Sequence, residues 1–541
     1  MVSDAGGGSV WNGQVPLSDD GGATLRAAIR DACEWTSAGG ARTAVIELAD
    51  GVHRIDPPAD DGEAGAAIVI SDAARVTLTG PRAELLFTDP HREAFTIRRS
   101  TDVVLDGFVL DYAAPSFTQG LITHVDSAES LFRFVPAQGY PDFSDGVLFT
   151  GSGYGTLRDP RTGGLKPDVR QTFMIEYATE PDDDGGFLVT VEPSDRGWMS
   201  HIAVGDGFVV GHRGDRHGIR VQESDSVTVR SVTIHAAPCA AILAHESSGT
   251  VLQDVTVARR PGSTRWISSN ADAVHCQGGR RGPLITGCRF EGMHDDGVNL
   301  YVHVLTLSGL ADRTLVLEGE GPVREGDLLQ VVDAPTGAVL AEVEVSELVA
   351  SEPRLVIVDR DLPPSVEIGA AVYNRSNALP GFRIAASRFH DFRGIGVRLK
   401  ASDGVIEDCR FENLSGCGLW IANDPGWSEG PLGSRDVVVA GNTFRATPSD
   451  VSLRSWPHSA ATVMIELFDG SDGPAVGRAH ARIALQDNDI EQRASAAVFV
   501  GGATDVSLEQ TRVDRGGDGW LVTRDSAVTV IPIDGRAEAG A

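Results

Sequence analysis

Basic residues are scarce in this chain. Its 541 residues carry 46 Lys and Arg against 76 Asp and Glu, a formal net charge of -30. So acidic a surface repels nucleic acid and anionic membrane, and neither is an expected partner. An anionic polymer is a poor substrate unless its cleft is locally basic. Long apolar runs are missing as well: no stretch reaches the roughly 18 residues that a membrane-spanning helix needs. Met1 to Val10 show no basic segment leading into an apolar one, so no secretory signal is expected in this chain. That leaves a cytoplasmic protein or a secreted one whose signal has been removed. Cysteine is rare: Cys33, Cys239, Cys276, Cys288, Cys409 and Cys417, with no C-x-x-C pair. A zinc or redox motif is unsupported, and all six read as reduced, small core residues.

Short β-rich runs punctuated by Gly, Asp and Pro make up most of the chain. The exception is Thr24 to Trp35, where Leu25, Ala28, Ile29 and Cys33 share one helical face. A short amphipathic helix there would cap the open end of a solenoid, which needs such a cover. A repeat then becomes countable. D-S-V-T-V-R-S-V-T-I (225–234), S-G-T-V-L-Q-D-V-T-V (248–257), R-G-P-L-I-T-G-C-R-F (281–290) and S-D-G-V-I-E-D-C-R-F (402–411) align, and further copies begin at 380, 435, 481 and 504. Each ends in a large apolar residue or Val, and most lead into a second short strand. Uninterrupted, the period is 22 to 24 residues. Two or three strands per copy without helical periodicity point to a parallel β-helix, right-handed by the crossover rule. Equivalent residues of successive coils stack about 4.8 Å apart. Cys288 and Cys409 fall in one column about two rungs apart, beyond disulfide reach.

The period breaks at about 113–215 and 303–376. Alternating strands and Gly-Asp turns there fit small antiparallel barrels. The expected architecture is therefore all-β: a right-handed parallel β-helix with two inserted antiparallel β-barrels. Its parts are a cap and first coils (1–112), a first barrel (113–215), coils carrying an acid cluster (216–302), a second barrel (303–376), and C-terminal coils with a tail (377–541). The second barrel follows directly on the acids and is expected to border them.

The acids stand in N-A-D-A-V-H-C-Q and M-H-D-D-G-V-N-L-Y. Asp272 and Asp296 occupy equivalent positions 24 residues apart, and Asp295 precedes the latter. A lone Asp at a turn ordinarily only forms the turn. Stacked carboxylates repel, so one should keep its proton, and a raised and an ordinary carboxyl together make a general acid and a general base. Inverting glycosidases use such acids around a water. Around them the repeat places a column of Ala273, Gly297, Gly396 and Gly418, read as a small-residue floor for a sugar. A column of His275, Asn299, Arg398 and Trp420 supplies hydrogen bonds and stacking. Farther out come Gln277, Tyr301 and Lys400, and Arg393 aligns with His294 beside the acids. Strict alternation would bury Asp272 and Asp296 with the Val column, so they should sit at a bend between sheets. Trp427 and Glu429, with Asp424, either line the cleft or form an Asp-Pro-Gly turn.

N-A-D-A-V-H, G-C-R-F-E-G-M-H-D-D-G-V-N, F-R-G-I-G-V and R-F-E-N-L-S-G-C-G-L-W-I-A-N-D-P-G-W-S-E-G-P together resemble glycoside hydrolase family 110, bacterial exo-acting α-1,3-galactosidases. A weaker likeness is to polygalacturonases, which also place one Asp about a coil before an Asp pair. The resemblance implies an exo-acting inverting glycosidase with catalytic Asp272, Asp295 and Asp296. Families of this type use one Asp to protonate the glycosidic oxygen and two to hold water, with neither metal nor cofactor; Asp295 is the expected acid, and Asp272 and Asp296 the expected water-holding pair. His275, Asn299, Arg393, Arg398, Trp420, Trp427 and Glu429 are the expected substrate-binding residues. The chain departs from the family at G-V-N-L-Y-V after the pair and at Cys276, where the family has an aromatic; both changes are read as lying beside the sugar. The partner is then an oligosaccharide or glycoconjugate, with self-association left open. The alternatives are a polysaccharide depolymerase, hydrolase or lyase, using Arg393, Arg398 and Lys400 around a uronate, and a non-catalytic carbohydrate-binding β-helix.

Overall fold

Each coil contributes three short strands, because its apolar alternation is interrupted twice by residues that turn the chain. The strands Thr228–Arg230, Thr233–Ile234 and Ile242–His245 are followed one coil on by Val251–Gln253, Thr256–Val257 and Val274–Gln277, then by Leu284–Thr286, Arg289–Glu291 and Val298–His303. Pairing is parallel and in register, as in Thr228 to Val251 to Leu284 and Ile242 to Val274 to Val298. The turn after the first strand takes a left-handed residue: Ser231, Asp254, Gly287, Asp408, Gly441 and Asp487 all have φ between 51° and 66°. Gly and Asp tolerate that conformation best, which is why they punctuate the repeat.

The computed structural model describes residues 2–3, 9–58, 65–333, 335–454, 461–469, 473–475, 477–514 and 519–531. Residues 4–8 of the N-terminal stretch and the tail from 532 lie outside that set. The coils stack into three long sheets of 14, 11 and 12 strands. Two closed six-stranded antiparallel barrels interrupt them, one from Phe117–Asp126 to Gly207–Gly211 and the other from Leu305–Ala311 to Ala371–Asn374. Each barrel has its own apolar core, separate from that of the solenoid. The chain is thus an all-β parallel β-helix with two barrel insertions. Among the described residues the one long helix, Ala23–Ser37, buries Leu25, Ile29 and Ala32 against the first strands of the solenoid.

Inside the solenoid the rings of Phe389, Phe411 and Phe444 stack at 4.8 and 4.7 Å. Cβ atoms placed on Gly297, Gly396 and Gly418 would strike these rings. That glycine column therefore faces the core and makes room for the aromatic ladder, and it is no floor for a sugar. Ala273 is likewise core. Cys276 and Leu300 also point inward, so the departures from the family at those positions do not touch the sugar side. All six cysteines are free thiols. Ser387 stands between Cys288 and Cys409 in one column, its hydroxyl accepting from the Cys288 N–H, and Asn442 and Asn488 continue the column with the same kind of bond.

Candidate active site

Asp272, Asp295 and Asp296 come together. One carboxylate oxygen from each lies within 4.8 Å of the others, and all three residues are buried. Asp272 and Asp296 lie just before the strands Val274–Gln277 and Val298–His303, where the chain is still bending. The bend frees them from strict alternation, so both Asp295 and Asp296 turn to one side.

Each acid has a different electrostatic setting. The Nδ1–H of His275 donates to Asp272 Oδ2 at 2.6 Å, which leaves Nε2 to accept from the Tyr301 hydroxyl at 3.0 Å. Gln277 Nε2 donates to that same hydroxyl oxygen at 2.6 Å. Asp295 is clamped by two guanidiniums, Arg393 on Oδ1 and Arg213 on Oδ2. Burial alone would raise its carboxyl, but these two cations outweigh burial and hold it below the usual carboxylate range. Asp296 accepts the Ile395 N–H at 2.7 Å and faces Arg398 only at 3.6 Å. Burial, then the charges of Asp295 and Asp272, push its carboxyl up to about 6. Within the cluster Asp296 is thus the carboxyl pushed up, by burial and its acid neighbours, and Asp295 the one held down, by Arg213 and Arg393.

The outward columns keep their register: His275 pairs with Asn299, Asn299 with Arg398, and Arg398 with Trp420. Arg398 lies over the Trp420 ring, 4.9 Å from its centroid, and forms an ion pair with Asp424. Lys400 is fully buried; its Nζ donates to Asn299 Oδ1 at 2.9 Å and pairs with Glu429 at 2.8 Å. Burial, reinforced by Arg398, brings the Lys400 amine down to about 8, with Glu429 opposing. Asp424 and Glu429 thus turn inward from the short Pro425–Trp427 turn, while Trp427 is 72% exposed and stands apart from the network. Five carboxyl groups, Asp272, Asp295, Asp296, Asp424 and Glu429, meet four cations, Arg213, Arg393, Arg398 and Lys400. The three clustered acids are close enough to share a cation, yet both oxygens of Asp295 are already committed to guanidiniums.

The first barrel borders the acids. Tyr154 stacks on His294 at 4.9 Å and 7°, donates to the His294 carbonyl, and carries Arg393 and Arg213 over its ring. His303, on the strand leading into the second barrel, pairs with Glu429. Sequence reasoning missed Arg213 and Tyr154. One signal was available: H-R-G-D-R-H (212–217), a cationic run in a strongly acidic chain, where the first barrel returns to the solenoid. A cavity of about 1000 Å³ opens elsewhere, between the first barrel and the solenoid beside Leu121, Arg259 and Trp266; none of the three acids lines it.

No family model matches the chain. Curated relatives do, and they are named as α-1,3-galactosidases, the family whose motifs the sequence resembles. It is 25% identical over 427 residues to α-1,3-galactosidase A of Streptomyces avermitilis, covering 70% of this chain and 66% of that protein. It is 27% identical over 243 residues to α-1,3-galactosidase A of Bacteroides fragilis, covering 42% and 40%. It is 21% identical over 399 residues to α-1,3-galactosidase B of Bacteroides thetaiotaomicron, covering 70% and 64%. The matches thus span two thirds or less of these relatives' lengths. Among solved structures it is similar to an exopolygalacturonase from Thermotoga maritima, with TM-score 0.45, 12% identity, and 96% and 91% of the two chains covered.

Proposed function

We propose that this protein is a glycoside hydrolase that removes a terminal α-linked sugar, galactose first among candidates, by general acid–base catalysis. The observation that carries it is the buried triad of Asp272, Asp295 and Asp296, in which one carboxyl is raised and another lowered. Such a split is what acid and base roles at one site require. Asp296, whose carboxyl is pushed up to about 6, gives a proton to the glycosidic oxygen. Asp272, oriented by His275, and ionised Asp295 hold and activate the attacking water. The choice of galactose rests on the relatives' names. Inversion rests on the family resemblance, since the approach of these oxygens is shorter than the roughly 6.5–9.5 Å between the carboxyl groups of ordinary inverting pairs.

His275, Asn299, Arg398, Trp420 and Glu429 line the sugar side, with Arg393 acting through Asp295. Trp427 meets only the part of the substrate outside the pocket. Exo action rests on the family resemblance. The lyase reading is weaker, because Arg393, Arg398 and Lys400 are each already paired with an acid and leave no cation for a uronate.

A panel of nitrophenyl glycosides tests the class. Turnover of the α-galactoside, with the β-anomer of galactose appearing first by NMR, is the expected result. No turnover of any α-glycoside would sink the proposal, and the α-anomer first would remove inversion alone. Arg213→Met tests the electrostatics. Losing one guanidinium should raise the Asp295 carboxyl, so the acid limb of the kcat/KM profile should move to higher pH. An unmoved limb would exclude Asp295 as the ionised partner.

A further inference from the structure

In the strand Ser152–Arg158, Leu157 belongs to the barrel core, while Tyr154, two residues from Thr156, stacks on His294 of the solenoid. Alternation therefore turns Tyr154, Thr156 and Arg158 together toward the seam between barrel and solenoid. Arg158 is fully buried there, and all three of its guanidinium nitrogens lack a partner among the described residues. The Thr156 hydroxyl and both ring nitrogens of His294 are buried and unpartnered too. The nearby acids are engaged: Glu291 accepts from Arg259 and Arg289, and Asp391 from His390 and Asn413. A buried cation without a counter-charge is among the most costly arrangements in a protein interior. Burial lowers the Arg158 guanidinium to about 9, with Arg259 acting in the same direction and the charge of Asp391, which makes no ion pair with it, opposing.

We infer that this seam is a binding site for a small inorganic anion of the halide class, held by Arg158 with Thr156 and His294 as further donors, behind Asp295. The anion is monovalent, because Arg158 offers one charge and the neighbouring Arg259 is already paired with Glu291. It is small and spherical, because the donors come from three side chains on two different parts of the chain. Charge decides against water alone: water satisfies hydrogen bonds but leaves the guanidinium uncompensated. An orphan acceptor, Asn270 Oδ1, flanks Gly211 together with His294, and a water beside the anion suits it. The anion ties the first barrel to the coil that carries the acids. It is independent of what sugar the enzyme takes.

Thermal unfolding of the full chain at constant ionic strength, in sodium chloride, sodium bromide or sodium gluconate, tests this in solution. Both halides should raise Tm by about 2 °C or more over gluconate, and Arg158→Met should lose that difference. Equal Tm in all three salts overturns the inference. Bromide-soaked crystals of the unaltered protein test it without a variant. An anomalous peak against the Arg158 guanidinium is expected. Density that holds only water there, or a guanidinium swung onto Asp391, overturns it.

Discussion

Asp296→Asn is expected to lower kcat about 10²–10⁴-fold on an α-galactoside with a poor leaving group, the usual share of a general acid. The loss should be much smaller on a nitrophenyl galactoside, whose leaving group needs little protonation. Asp272→Asn should be equally slow on both, because water activation does not depend on the leaving group. The unaltered enzyme should lose kcat/KM as pH rises through about 6, where Asp296 gives up its proton. Asp295 is held low and stays ionised throughout that window, and Asp296→Asn should abolish the alkaline limb. The variant should stay folded, since the Asn amide oxygen can still accept the Ile395 N–H. If Asp295→Asn is instead the variant rescued by the activated leaving group, the donor is Asp295, and substrate must displace Arg213 or Arg393 before the proton arrives.

Gly394→Ala is expected to damage the site without touching a catalytic side chain. Gly394 has φ +117°, and an added Cβ would stand 2.5 Å from the Asp295 carbonyl carbon and 2.7 Å from the Asp296 nitrogen. Backbone cannot yield as a flexible side chain does. The peptide joining the two acids must move, and a shift of about 1 Å in a catalytic group can cost on the order of 10²-fold in rate. Strain at the positive φ adds about 1–3 kcal/mol, so Tm should fall as well. Gly262→Ala is the control: Gly262 also has positive φ, but nothing lies within 4 Å of its Cβ position. It should lower Tm slightly and leave kcat alone. A Gly394→Ala enzyme with normal kcat would show that the peptide is not held where it stands.

The solenoid was legible because its repeat is periodic. A column of apolar ends and Gly or Asp turns can be aligned by eye, and the alignment places His275 beside Asn299, Arg398 and Trp420 before any coordinates. The same alignment misread the glycines. Periodicity gives which residues share a column, but not which way a column faces once the chain bends, and the bend before Val298 turns Gly297 toward Phe389. Arg213 and Tyr154 were illegible for another reason. They come from the first barrel, and an insertion shares no register with the repeat, so no spacing links residue 154 or 213 to 295. The charge setting of Asp295 was half legible: Arg393 comes from the repeat, whereas Arg213 comes from the end of the insertion.

The pairings of the site also carry an order in time. The acids at 272, 295 and 296 are made well before Arg393, Arg398, Lys400, Asp424 and Glu429, which balance or enclose them from later coils. A chain emerging from the ribosome therefore passes through a stage in which three crowded carboxylates have only Arg213 for compensation. The charge balance is complete only once Glu429 has been made and has paired with Lys400 and with the strand at His303.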